Sequence, residues 1–147
     1  MTKLIDQLQR DYPQFKFVPS NRARWSAGEQ TIYYTHDKVQ TLHEIGHALL
    51  GHEHFGQDIE LLKMERAAWN EARRIAPNYN IAITDDDVET ALDSYRDWLH
   101  SRSKCPKCGQ TGIQSRQTLY YYCPTCSNRW IASDGRSKAL RRHSIKS

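Results

Sequence analysis

Four cysteines constrain this chain more than any other feature. Cys105-Pro-Lys-Cys108 and Cys123-Pro-Thr-Cys126 form two C-x-x-C knuckles, with fourteen residues between Cys108 and Cys123. Four thiolates at that spacing close a tetrahedral structural zinc site with no open position. The intervening TGIQSRQTLYYY alternates well enough for a strand, which predicts a small three-stranded ribbon with Trp130 packed on it. A chain with no secretory leader at MTKLIDQLQRDYP and no apolar run near the 18 residues of a membrane span is expected in the cytoplasm. In that reducing setting, paired C-x-x-C motifs read as metal ligands and not as disulfides.

Charge divides the chain at the same place. Residues 1–100 hold 11 Lys and Arg against 16 Asp and Glu, a balance of −5, whereas 101–147 hold 10 against Asp134 alone, a balance of +9. We expect a domain over 1–102, a zinc ribbon over 103–133 and a basic tail over 134–147, mobile at its end. Basic residues interleaved with the aromatic run Tyr120–Tyr122 suit nucleic acid. Lys107, Arg116, Arg129, Arg136, Arg141 and Arg142 are the candidate contacts to DNA. A ribbon that only docks a protein is the plainer alternative.

The second feature is QTLHEIGHALLGHEH, residues 40–54. His43 and His47 are four apart, so on a helix they project from one face and can share one zinc ion. Glu44 fits the general base of a metal-assisted hydrolysis in the H-E-x-x-H pattern. Leu42, Ile45, Leu49 and Leu50 wrap the rest of the helix in apolar side chains, so it should be buried. Asp37 is the expected N-cap and Gly51 the stop. Gly46 allows a neighbouring element to approach closely. His52 turns away from the metal face and reads as a structural or supporting residue that donates to a backbone group or a carboxylate.

A third ligand is needed. A histidine at the metzincin spacing is absent, because position 53 is Glu and position 50 is Leu. The next helix, about 58–76 and ended by Pro77, carries the apolar stripe Leu61, Leu62, Ala68, Trp69, Ala72 and Ala76. Glu65 sits inside that stripe, where a carboxylate is costly unless paired with an Arg or bound to metal. Leu4, Ile5 and Leu8 predict a first helix capped by Thr2 and ended by Pro13. FKFV at 15–18 reads as a strand, and residues 24–34 read as two strands around a turn at 27–30. Tyr33 and Tyr34 are expected to pack, although their strand would also suit an extended peptide pairing along an edge. A last helix starts at Thr84, with Asp87 completing a capping box, and shows Val88, Ala91, Leu92, Tyr95 and Leu99 on one face.

HEIGHALLGH followed by ERAAWNEA resembles the ImmA/IrrE family of zinc metallopeptidases: His43, Glu44, Gly46, His47, Gly51 and His52 match its first helix, and Glu65, Ala68 and Ala72 its second. The resemblance spans roughly residues 15 to 100. It implies His43, His47 and Glu65 as zinc ligands and Glu44 as catalytic base. It also implies a phage or mobile-element setting in which a transcriptional repressor is cleaved or inactivated. CPTCSNRW resembles the second knuckle of transcription-elongation-factor zinc ribbons, without their acidic pair.

The expected fold is therefore α+β: a zincin-like core with a small antiparallel sheet and three to four helices, then a zinc ribbon. The expected cofactors are two zinc ions, one catalytic and one structural. The leading function is a zinc-dependent endopeptidase acting on a protein substrate, with a DNA-bound repressor or regulator as the expected target. One alternative is a non-catalytic regulator that keeps the zinc fold. Another is a SprT/Spartan-like protease, which would need a later His-Gly ligand that residues 57–104 lack. Tyr79, Tyr95 and His54 stand as candidates for stabilising an oxyanion.

Overall fold

The computed structural model describes residues 1–133 and 140–145. It is an α+β fold with helices α1 (Thr2–Asp11), α2 (Lys38–Leu49), α3 (Asp58–Ile75) and α4 (Asp85–Ser103) and two small sheets. The chain gathers into two units. One is Met1–His54 with Lys63–Val88; the other is Phe55–Leu62 with Glu89–Ser147. The second unit is therefore larger than the segment 103–133 that carries the cysteines. Among the described residues, no helix is long and apolar enough to cross a membrane.

In the first unit, Leu4, Ile5 and Leu8 are buried, as their spacing predicts. Thr2 is not the N-cap of α1. Met1 is, because the Ile5 N–H already reaches the Met1 carbonyl, at 3.0 Å, and this draws Thr2 into the first turn. Strands β1 (Lys16–Pro19), β2 (Arg24–Ser26) and β3 (Thr31–Tyr34) form one sheet in the order β1-β3-β2. β2 and β3 are the expected antiparallel pair around the turn at 27–30. β1 runs parallel to β3, so the sheet is mixed and not purely antiparallel. The long connection from Pro19 to Thr31, which passes through β2, lets β1 return on the same heading.

β3 is the central strand. Its hydrogen-bonding edges are used on both sides, so the strand carrying Tyr33 and Tyr34 cannot accept a peptide by edge pairing. Tyr33 instead packs under the Arg24 guanidinium, 4.1 Å from the ring centre, and donates to Glu29. The free edges belong to β1 and β2.

Asp37 caps α2 by accepting from the Gln40 N–H at 3.0 Å, and Gly51 follows the helix with φ +67, where a side chain would be strained. α3 buries Glu65, Ala68, Trp69, Ala72 and Ile75. A single 3-10 turn, Ala76–Tyr79, takes over at Pro77. Thr84 and Asp87 make both bonds of the capping box, at 2.9 and 3.1 Å.

In the second unit, β4 (Ile113–Gln114), β5 (Tyr121–Tyr122), β6 (Arg129–Ala132) and β7 (Arg142–Ser144) form an antiparallel sheet in chain order. The run 111–122 is two short strands around a turn, not one. The sheet has four strands instead of three. Its fourth comes from the region assigned to the basic tail: Arg142, His143 and Ser144 pair with Ala132, Ile131 and Trp130. Trp130 is fully buried and stacks on Tyr121 at 5.5 Å between ring centres.

A buried polar network joins the start of α3 to this sheet. Asp58 pairs with Arg102 of α4 at 2.7 Å and accepts from the Tyr121 hydroxyl at 2.6 Å, while its own N–H donates to the Gln114 side chain at 2.6 Å. Arg102 also donates to the Ser133 carbonyl, and the Trp130 indole donates to the Arg102 carbonyl. Burial and the bond to Asp58 push the Tyr121 hydroxyl well above its ordinary value. It therefore stays protonated and remains a donor.

Candidate metal centres

α2 and α3 meet at a glycine. A β-carbon on Gly46 would stand 2.2 Å from the Ala68 carbonyl oxygen, so only glycine lets the helices come this close. Gly46 lies between His43 and His47 on α2, and Ala68 lies one turn after Glu65 on α3. The contact therefore brings the two imidazoles against the carboxylate.

The result is a converging donor set. His43 Nε2 lies 2.8 Å from one Glu65 oxygen, and His47 Nε2 lies 3.2 Å from the other. All three side chains are buried or nearly so. The partners of Glu65 are these two histidines and not an Arg, the alternative reading of its place in the stripe; Arg24 is stacked on Tyr33. Burial would raise the Glu65 pKa, but bonds to His43 and His47 outweigh it and hold the carboxyl far below the usual range. Burial would also lower His47, and the two carboxylates nearby outweigh that and raise it.

Two imidazole nitrogens can face one carboxylate either as N–H donors, in the neutral or charged ring, or as fellow ligands of a metal. The spacing suits a metal. Zinc with bonds of 2.0–2.1 Å has ligand-to-ligand edges of about 3.3 Å when tetrahedral. The group His43, His47 and Glu65 could hold such an ion.

The two candidate histidine ligands are held from behind. The His43 ring stacks on Trp69 with 4.3 Å between centres and a 6° angle. His47 Nδ1 meets His52 Nδ1 at 2.9 Å, and the His52 carbonyl accepts the Trp25 indole N–H at 3.0 Å. The ring of His52 thus meets an imidazole and not the backbone group or carboxylate expected of it. The stripe alone places Trp69 in the core. The signal that it belongs to the site was its position four residues after Glu65 on the same stripe.

Glu44 sits beside this group without joining it. Its oxygen is 3.6 Å from His43 Nδ1, and the Trp25 backbone N–H of β2 hydrogen-bonds to it. Burial raises its pKa above the ordinary value, despite His43, His47 and that N–H. A carboxylate with raised basicity suits a proton acceptor.

Of the proposed oxyanion residues, Tyr79 donates to Asp11 at 2.6 Å, and His54 is exposed beyond α2.

The four cysteines form a second group whose sulfurs could hold a metal. Cys105 and Cys126 sulfurs are 3.7 Å apart and Cys108 and Cys123 3.4 Å, against an edge of about 3.8 Å for tetrahedral zinc with 2.3 Å bonds. The knuckles repeat one backbone pattern. Gly109 N–H donates to the Cys105 carbonyl and Ser127 N–H to the Cys123 carbonyl, with positive φ at Gly109 and at Ser127. Burial raises Cys105, yet the N–H groups of Cys108 and Lys107 hold its thiol down to about 6. That favours the thiolate a metal needs.

Of the six proposed nucleic-acid contacts, Lys107, Arg116, Arg129 and Arg141 are exposed, and Arg136 lies outside the described residues. Arg142 is half-buried and donates to the Lys104 carbonyl. Arg129 stands opposite Tyr122, which itself stands opposite Ile113. Among the described residues, this register row is where one of the six meets an exposed aromatic.

Compared with known proteins, the chain matches no family model, no curated protein and no solved structure.

Proposed function

We propose that the chain is a zinc-dependent endopeptidase of ImmA/IrrE type, with a zincin-like core and a C-terminal zinc ribbon. The observation that supports this most is the convergence of three buried metal-liking donors, His43, His47 and Glu65, with a second carboxylate, Glu44, on the same helix as the two histidines. His43, His47 and Glu65 would hold a catalytic zinc, and Cys105, Cys108, Cys123 and Cys126 a structural one.

A zinc ion held there supplies Lewis acidity, which polarises a carbonyl and acidifies water. Glu44 contributes the proton acceptor, poised by burial, and returns the proton to the leaving amine. Trp25 N–H keeps the Glu44 carboxylate oriented. Because β2 is an edge strand and its backbone reaches Glu44, an extended peptide could lie along it. Glu65 as the third donor favours this reading over a SprT/Spartan-like site. The proposed setting is the cytoplasm of a cell carrying a phage or mobile element. The proposed substrate is a transcriptional repressor, reached on DNA through the basic ribbon.

Glu44→Gln is the decisive variant. Zinc-loaded chain and variant are incubated with an unfolded casein, and with proteins captured by the variant acting as a trap. Both forms should carry two zinc ions, while cleavage falls by roughly 10²–10⁴-fold in the variant. If its biological effect persists at full strength without cleavage, the protein is a binding regulator instead.

A further inference from the structure

The second unit contains a cavity of about 330 Å³ that neither metal group touches. Phe55, Trp98, Leu119, Tyr120 and Ile131 line it. Four of these, Phe55, Leu119, Tyr120 and Ile131, are about two-fifths exposed, which is unusual for large apolar side chains gathered at one place. The charged lining is already spent, since Asp58 and Arg102 neutralise each other and are bonded further by Tyr121 and Ser133.

A further observation concerns the rim. Leu119 has φ +65, a conformation unfavourable for a branched side chain. It is held by its N–H on the Ser115 carbonyl and by Gln114 donating to its own carbonyl, at 2.9 Å each. The strain keeps an exposed leucine at the rim of the cavity.

We propose that this cavity binds a large apolar side chain of a partner polypeptide, within a segment rich in Asp and Glu. The volume is at the small end for ligand sites and suits a side chain with its adjoining backbone. Charge complementarity selects the flanks: exposed Arg116 lies on the turn leading to Thr118 and Leu119, and exposed Arg129 stands two residues before Ile131 on the same face of β6. A nucleobase fits less well. Its edges carry several donors and acceptors, whereas the polar lining groups Asp58, Arg102 and Gln114 are already bonded within the protein. The inference stands independently of the peptidase reading, because binding requires nothing of His43, His47 or Glu65.

The test uses the zinc-loaded full chain and fluorescence anisotropy of a labelled acidic peptide with a central leucine or tryptophan. Leu119→Gly removes the rim side chain and relieves the backbone, so it should fold at least as well. Tyr120→Ala provides a second variant should that one misfold. Binding should weaken by roughly tenfold or more in either folded variant, and equally when the central residue becomes alanine. The proposal is overturned if the alanine peptide binds as tightly, or if both variants bind like the parent. It is also overturned if the site discriminates for oligothymidine, with affinity for that probe lost on Leu119→Gly.

Discussion

Gly46 and Ala68 are in contact through backbone: the Ala68 carbonyl oxygen occupies the space where a β-carbon on residue 46 would go, 2.2 Å away. The histidines of one helix and the glutamate of the next share a site because of this approach. Gly46→Ala should force α2 and α3 apart and destabilise the protein by about 2–3 kcal/mol. Ala68→Gly should not rescue it, since the obstacle is a carbonyl and not a methyl group. Thermal unfolding of the single and double variants, with zinc content measured alongside, checks this.

Removing individual ligands should empty the two metal groups one at a time. Glu65→Ala should lower zinc from two ions per chain to about one, and Cys105→Ser should spare the His-containing site. Elemental analysis of each purified variant reads the outcome directly. Loss of both ions in Glu65→Ala would contradict the assignment.

Without metal, the His43–His47–Glu65 group should make stability depend on pH. The Glu65 carboxyl is held below its ordinary 4.5, so its contribution is present above that value and fades as pH falls further. His47 is raised above its ordinary 6.5, so its contribution is present below that value and fades as pH climbs through the native one. Stability of the metal-free chain should therefore be greatest between about 4.5 and 6.5. Urea midpoints across pH, compared with Glu65→Gln, measure it; the variant should give a flatter profile.

Asp58 neutralises a buried guanidinium, with both side chains at most one-tenth exposed. Asp58→Ala leaves Arg102 charged and unpaired and should cost about 3–5 kcal/mol. Replacing Asp58 and Arg102 together by apolar residues should cost much less than the single change. A double-mutant cycle by chemical denaturation tests the coupling.

Ser127 adopts φ +65 at the place where the other knuckle uses Gly109. Ser127→Gly should stabilise the zinc-bound protein by roughly 0.5–1 kcal/mol, and Gly109→Ala should destabilise it. Resistance to chelator-induced unfolding distinguishes the two.

The parts of this molecule that were legible in its sequence are those fixed by local rules. The spacing of His43 and His47, the stripe around Glu65, the Asp37 cap, the reciprocal caps of Thr84 and Asp87, and the cysteine knuckles all act within a turn or two of helix or hairpin. Gly46 was readable as a close approach, though not against which residue. Pairings between distant segments were not legible. Nothing in Lys16–Pro19 states that it will run parallel to β3, because that heading depends on where the connection places it. Trp98 falls at the border of the apolar face of α4, three residues after Tyr95 and seven after Ala91, and the sequence pattern does not show that it lines a cavity with Phe55 and Ile131. The backbone contact of Trp25 with Glu44 carries no side-chain signature.

The fourth strand of the ribbon closes on itself late in the chain. Ser144 faces Trp130 and also takes a bond from Asn128, and the Ile145 N–H reaches the Arg129 carbonyl. A protein shortened after Ser133 would keep every cysteine yet leave the outer side of β6 bare. Such an uncovered margin invites chains to stick to one another, so the final residues act as a guard against self-association as much as a reservoir of charge.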